Sequence, residues 1–394
     1  MKILYVHRTR GQNVEGVHIR GIVDSLRAMG SSVELISVPG ADPYRTAKAG
    51  TGKKSLAAKI WTGVSRLAPQ IVFEAMELGY NVPLFLSCLA TQRKERPDLI
   101  YERYALNTFA SVLFARLFSI PIILEVNDST GIQRNRSHKA ERMARAIEDW
   151  TFKACDHIVT VSSEFKRIIV SRGVPESKVS FLPNAIDEKV FDPRLFGPGL
   201  RRALGLEGKT VVCFVGGFAR WHGISLLLEI AAELVAACPK IHFLLVGDGK
   251  TFAEVNRAVA EKGLSSAFTL TGQVPTADVP SYLHTMDIGV IPDSNQYGSP
   301  VKLFEYMAMG AVPVAPDYAP VQDVVENGKT GLMFGHGNAQ ELKEALLRLC
   351  RDPEERNRIS AAGRAQVMEH HLWKHNAARI LEINGGLEFS GRAA

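Results

Sequence analysis

Cysteine is scarce and scattered in this chain. Its five thiols, Cys88, Cys155, Cys213, Cys238 and Cys350, show no paired spacing. That argues against a zinc site and a disulfide framework, and it suits a reducing cytosol. Long hydrophobic runs are missing too. The most apolar stretches, 105–124 and 71–90, are broken by Arg116 and Pro121 and by Glu74, Glu77 and Pro83, so no membrane-crossing helix is expected. Met1-Lys-Ile-Leu-Tyr-Val6 meets His7-Arg8 too early for a signal peptide and reads as a first strand. There is no H-E-x-x-H, no plausible Ser-His-Asp order and no carboxylate cluster that demands a metal. The loop Gly11–Gly16 lacks both the G-x-G-x-x-G spacing and the Walker lysine.

What is present is a globular composition. At 394 residues, 46% hydrophobic and 22% charged, the chain is too long for one ordinary core, and two domains are expected. Charge is uneven: residues 1–196 carry an excess of basic side chains and the remainder a slight excess of acidic ones. The excess peaks in residues 41–70, where Arg45, Lys48, Lys53, Lys54, Lys59 and Arg66 face only Asp42, with Ile60, Trp61 and Leu67 interleaved. Two readings stay open for this insert, an anionic membrane surface and a solvated basic loop. No nucleic-acid motif accompanies it, so nucleic acid is not an expected partner.

Strand-like and helix-like segments alternate along both halves. Lys2–Val6, Val33–Val38, Asp98–Tyr101, Ile122–Val126, Asp156–Val161 and Val179–Leu182 read as strands. Helices are expected over His18–Met29, Asn107–Phe118, Ser137–Lys153 and Ser163–Arg172. After a Gly/Pro-rich stretch the pattern restarts with Thr210–Val215, Gly216-Gly217, Ile241–Val246 and Gly247-Asp-Gly249. Repeated βα units imply parallel sheets covered on both faces. The expected fold class is α/β: two doubly wound, Rossmann-like domains across a cleft. Residues 1–190 form the first and 191–209 a linker. Residues 210–370 form the second, and 371–394 a C-terminal helix or tail packing back on the first.

One stretch, 285–317, stands out: TMDIGVIPDSNQYGSPVKLFEYMAMGAVPVAPD. It reads as strand, loop, helix, strand, with Ser299 as N-cap, Pro300 at the first helical position and Gly310 as the stop. The helix is apolar nearly all round, yet it carries Lys302 and Glu305 at i,i+3. Its N-terminus opens just past a strand, where free N–H groups suit an anionic ligand. A plain Lys–Glu pair on a half-exposed face explains the charges equally well.

Several segments taken together resemble the retaining, nucleotide-sugar-dependent glycosyltransferases of family 4, with the GT-B fold. They are Cys155-Asp-His-Ile-Val-Thr-Val-Ser162, Val179-Ser-Phe-Leu-Pro-Asn184-Ala-Ile-Asp187, Phe214-Val-Gly-Gly-Phe-Ala-Arg-Trp-His-Gly223, Leu244-Leu-Val-Gly-Asp-Gly249, Leu270-Thr-Gly272 and the 285–317 stretch. The resemblance implies that the second domain holds the donor nucleotide and the first the acceptor. It casts Glu305, the second glutamate of a Glu-x7-Glu motif, as a ligand of the ribose hydroxyls. The loop Tyr297, Gly298, Ser299 and Val301 would face the donor sugar and diphosphate, with Gly272 and Val274 near the base. The first glutamate of the motif falls at Tyr297; Asp293 and Asn295 are polar substitutes nearby. The basic pair expected on the diphosphate falls at Gly217 and His222, leaving Arg220 and Lys302 to supply charge. A histidine expected in the first domain falls at Asn127, followed by Asp128. Gly16, Gly247 and His18 complete the positions expected near the donor.

The implied reaction moves a hexose-type sugar with retention to a glycan or lipid-linked acceptor, in bacterial cell-surface polysaccharide or glycoconjugate synthesis. Fixed cations and helix N–H groups would stabilise the leaving diphosphate, so neither a cofactor nor an obligatory metal is expected. Arg220, Lys302 and Asp128 are the candidate catalytic groups. The expected location is cytoplasmic, with peripheral attachment to the inner membrane face as one option. A nucleotide-sugar epimerase or phosphorylase on the same fold, and a non-catalytic sugar-binding module, are the alternatives.

Overall fold

Twelve strands form two six-stranded, wholly parallel sheets in a computed structural model that describes residues 1–9, 11, 13–44, 70–132 and 140–391. The first sheet comprises β1 (Lys2–His7), β2 (Ser32–Ser37), β3 (Leu99–Arg103), β4 (Ile122–Val126), β5 (His157–Thr160) and β6 (Val179–Phe181), in the order β2-β1-β3-β4-β5-β6. The second comprises β7 (Thr210–Val215), β8 (Ile241–Val246), β9 (Phe268–Leu270), β10 (Ile288–Val290), β11 (Val312–Pro316) and β12 (Leu332–Phe334), in the order β12-β11-β10-β7-β8-β9. Each order reverses once, at β1/β3 and at β7/β10. Ligands of open parallel sheets bind beyond the carboxyl ends of the strands at such a point.

The chain divides into two units, Met1–Leu182 with Trp373–Ala394, and Pro183–Leu372. Strand β7 shows why the second sheet is covered on both faces. Val212 and Phe214 face one buried cluster, containing Leu227 and Leu346, while Val211 and Cys213 face another, containing Leu303 and Tyr306. The second cluster buries the helix Val301–Ala308.

Several expected boundaries move. The Gly/Pro-rich segment 191–209 is part of the second unit rather than a free linker, because Phe191 and Leu206 are buried in its core. The helix expected from Asn107 starts at Ala110. Asn107 itself has φ +64°, and the Asn81 side-chain oxygen accepts from the N–H groups of Phe109 and Ala110, at 2.8 and 2.9 Å. A remote asparagine thus does the capping. The first helix runs Asn13–Ala28, so Gly16 is helical rather than in the preceding loop. The helix expected from Ser137 is observed from Glu141 to Ala154. Residues 133–139 lie outside the described residues, as do 45–69 of the basic insert. The C-terminal helix, Trp373–Gly391, packs on Asn13–Ala28. Gly21 makes this contact possible, since a Cβ there would sit 2.5 Å from the Trp373 ring.

Candidate functional site

Glycines bring the carboxyl ends of β7, β8 and β9 together. Gly216 N–H donates to Val246 O (3.0 Å), Phe218 N–H to Asp248 O (2.9 Å) and Gly247 N–H to Gly272 O (3.0 Å). A Cβ on Gly247 would lie 2.1 Å from Gly216 O, and one on Gly249 2.7 Å from the Phe218 backbone. Backbone touches backbone here, so no side chain fits. Gly217, next along, has open space around its Cα.

Beside these loops stands the helix Val301–Ala308. Gly289 of β10 lets it dock, because a Cβ there would meet the Tyr306 ring at 2.2 Å. The Tyr306 hydroxyl also accepts from the Val215 N–H at the end of β7 (3.1 Å). Docked this way, the helix presents Lys302 and Glu305 from partly buried positions. Lys302 Nζ lies 4.5 Å from the Phe214 ring centre, 3.4 Å from His222 Nδ1 and close to Gly216. Burial, with the Lys302 charge, pushes the His222 imidazole down to about 3, so it is neutral and accepts from the ammonium. Burial pulls Lys302 down to about 8 and raises Glu305 to about 7, with each opposite charge only partly offsetting that. Among the described residues, no ion pair within 4 Å joins Lys302 to Glu305, and no protein donor reaches the Glu305 carboxylate. The two side chains feel each other's charge without forming a direct ion pair. Two charges that burial makes costly thus stand on one helix, Lys302 beside His222 and Phe214.

The loop before the helix is fixed by contacts that the sequence did not suggest. Ser299 is not the N-cap; Pro300 holds that position without a side-chain cap bond. Ser299 Oγ instead accepts from the Asn184 N–H (3.0 Å), and Asn184 Nδ2 donates to Ser299 O (2.7 Å). Asn295 Oδ1 accepts from the Gly298 N–H, closing a turn. Asp293 accepts from the Tyr318 hydroxyl at 3.1 Å and lies 3.5 Å from His336 Nε2. Tyr297, Gly298 and Ser299 are partly buried along this loop, and Val301 opens the helix.

In the first unit a second polar cluster sits at the carboxyl ends of β1, β3 and β4. His7, Arg103 and Glu125 are register neighbours across these strands. Glu125 is buried and receives His18 Nε2 (2.9 Å), the Tyr101 hydroxyl (2.8 Å), Asn127 Nδ2 (2.6 Å) and the Arg103 guanidinium. Burial alone would raise its pKa, but His18, Arg103 and the hydrogen bonds together hold it well below the usual carboxylate range. Burial and Arg103 press His7 down to about 4.

Two family models divide the sequence between them: "Glycosyltransferase Family 4" matches residues 16–190 and "Glycosyl transferases group 1" matches residues 199–366. The chain is a family 4-like glycosyltransferase. Among its relatives, the 2-deoxystreptamine glucosyltransferase of Streptomyces kanamyceticus is 27% identical over 312 residues, covering 75% of this chain and 79% of the relative. The alpha-D-kanosaminyltransferase of the same organism is 25% identical over 259 residues, covering 64% and 67%. Among solved structures, HepE of Anabaena in complex with UDP aligns with a TM-score of 0.70 at 17% identity, covering 98% of this chain and all of that one. Sucrose-phosphate synthase of Thermosynechococcus elongatus aligns at 0.71 and 18% identity, covering 99% and 100%. These structures carry the GT-B fold over to this glycosyltransferase.

Within this glycosyltransferase the anticipated positions fall into two groups. Gly217, His222, Gly247, Gly272, Val274, Tyr297, Gly298, Ser299, Val301, Lys302 and Glu305 all belong to the second unit. His222 and Lys302 come into direct contact across 80 positions of sequence. Val274 packs at the edge of the core that holds the Lys302 helix. Arg220 is exposed and lines a cavity of about 510 Å³ with Ser225, Glu254 and Lys262, beside the helices after β7 and β8. Gly16, His18, Asn127 and Asp128 belong to the first unit, where Glu125 gathers His18 and Asn127. Sequence reasoning missed Arg103, Glu125 and Tyr101. For Arg103 and Glu125 the signal was a charged residue near the carboxyl end of a parallel strand with a buried apolar run; Tyr101 carried none.

Proposed function

We propose that this glycosyltransferase takes a hexose-type sugar from a nucleoside-diphosphate sugar, with retention, and passes it to a glycan or lipid-linked acceptor of the cell surface. The observation that carries the donor class is the helix Val301–Ala308. It holds a partly buried cation and a carboxylate that no donor reaches among the described residues, at the reversal point of the second sheet. A carboxylate accepts from both hydroxyls of a ribose diol, which suits Glu305. Lys302, beside the bare backbone of Gly216 and Gly217, suits a diphosphate. As the glycosidic bond breaks, negative charge grows on the departing diphosphate. A fixed ammonium and the helix N–H groups answer it without reorganisation and without a divalent metal. In this reading retention follows from front-face attack, the donor phosphate taking the acceptor proton.

Uridine and guanosine donors both have precedents: HepE of Anabaena, a fold neighbour, is known in complexes with UDP, with UDP and glucose, and with UDP-glucose, and a mannosyltransferase relative from Mycolicibacterium smegmatis is GDP-mannose-dependent. The test is calorimetric titration of UDP and UDP-glucose in the presence of a chelator, on the wild type, Glu305→Ala and Lys302→Met. Losing two charge-assisted bonds to the diol should weaken binding of both ligands at least tenfold in Glu305→Ala. Lys302→Met should weaken them as much. Unchanged affinity in Glu305→Ala, with circular dichroism also unchanged, would sink the assignment.

A further inference from the structure

Two neighbouring helices of the first unit, Asn81–Lys94 and Ala110–Phe118, pack on one another through Phe85 and Phe114, whose rings lie 5.6 Å apart edge to face. Their inward sides share one buried cluster, through Leu84 and Cys88 on the first and Val112, Phe114 and Ala115 on the second. Both outward sides therefore look away from the same core. On the first helix that side presents Val82 and Leu86, which are 64% and 58% exposed. On the second it presents Leu113 and Leu117, at 36% and 63%. Each pair is spaced i,i+4, so each makes a stripe rather than a scatter.

The charges on these two helices are of one sign. Neither helix contains an acidic residue, while Arg93, Lys94 and Arg116 lie exposed on them. Among the described residues no carboxylate pairs with any of the three. Exposed arginines elsewhere have partners, as in Arg167–Glu164, Arg194–Asp192 and Arg348–Glu355. Arg96 ties the two helices together, donating to Phe118 O and Ser119 O at 3.2 and 3.0 Å.

We propose that this face of the first unit docks on an anionic lipid bilayer. Val82, Leu86, Leu113 and Leu117 enter the headgroup–acyl boundary, and Arg93, Lys94 and Arg116 meet the lipid phosphates. Short apolar stripes bordered by unpaired cations match that boundary, where apolar area and electrostatic attraction add. A protein partner would have to bring its own carboxylates to all three cations. The assignment goes beyond the donor chemistry and does not depend on it.

The test is flotation of the full chain with vesicles of phosphatidylcholine alone and of equal parts phosphatidylcholine and phosphatidylglycerol. Wild type should float with the mixed vesicles and detach as salt rises. Leu86→Asp/Leu117→Asp should lower partitioning at least tenfold. Arg93→Gln/Lys94→Gln/Arg116→Gln should lower it about a hundredfold, with the salt dependence reduced. All five substituted positions are surface sites, and unchanged thermal unfolding and UDP affinity would show that fold and donor site are intact. Wild-type flotation of both variants would overturn the proposal, and so would loss confined to a Lys53→Gln/Lys54→Gln/Lys59→Gln variant. A drop in solution mass of Leu86→Asp/Leu117→Asp, measured by light scattering, would assign the face to a second copy of the chain and equally overturn it.

Discussion

Lys302 and Glu305 are each displaced towards neutrality, and the direction of each shift makes a pH prediction. Lys302, lowered to about 8, must be protonated to hold a diphosphate, so affinity falls as pH rises through about 8. Glu305, raised to about 7, must be ionised to accept from the diol, so affinity falls as pH drops through about 7. Ordinary lysine and glutamate would give a plateau several pH units wide; this site should give a narrow maximum. A nucleoside-diphosphate sugar is the right probe, because its diphosphate has no proton to lose near neutrality. In Lys302→Arg the alkaline limb should disappear, since guanidinium stays charged. Titrations across a buffer series check this, and a flat profile in the wild type would refute it. Stability of the empty protein follows the same groups. The raised Glu305 adds stability below the ordinary carboxylate range, which is lost as pH rises through about 7. The depressed Lys302 adds stability above the ordinary lysine range, lost as pH falls through about 8. Between those values both charges weigh against the empty fold. Thermal stabilisation by the donor should therefore be largest there.

The helix that carries these charges is placed by one glycine. Gly289→Ala would drive a methyl into the Tyr306 ring, and the helix must shift from β10 to admit it. Overpacking of this kind costs about 1–3 kcal/mol. It should also weaken UDP binding, because Lys302 and Glu305 move with Tyr306. Gly197→Ala, where a Cβ meets nothing within 4 Å, should stay within about 0.5 kcal/mol of wild type. Urea unfolding and titration of both variants decide it. Equal stability would show that the contact relaxes without moving the helix.

At this scale much was legible. The 285–317 stretch announces strand, loop, helix and strand because its apolar runs are bounded by turn residues, and its two charges stand out against an apolar helix. Local pattern could not reveal the partners. Ser299 looks like a cap, but its hydroxyl belongs to Asn184, 115 positions away. His222 and Lys302 meet across 80 positions. The 191–209 segment has the composition of a linker, yet two apolar residues, Phe191 and Leu206, are enough to bind it into the second core.

For the molecule as a whole, the chain builds the first unit, then the second, and its C-terminal helix returns to the first. Trp373, the first residue of that helix, is 3% exposed, lies against Gly21 and meets the His18 ring edge-on at 4.7 Å. Trp373→Ala leaves a cavity where nothing nearby can collapse without moving the helix Asn13–Ala28, and should cost about 3–5 kcal/mol. That loss falls on the first unit alone. Lys302, Glu305 and the glycine loops belong to Pro183–Leu372, so nucleoside-diphosphate affinity should be unchanged in this variant. Calorimetric scanning with and without UDP separates the outcomes. The variant should show an early transition that ignores UDP and a later one that UDP raises, because only the unit that holds the ligand is stabilised by it. One transition raised by UDP throughout would mean that the two units unfold together. Loss of UDP affinity in Trp373→Ala would mean that the nucleotide depends on the first unit.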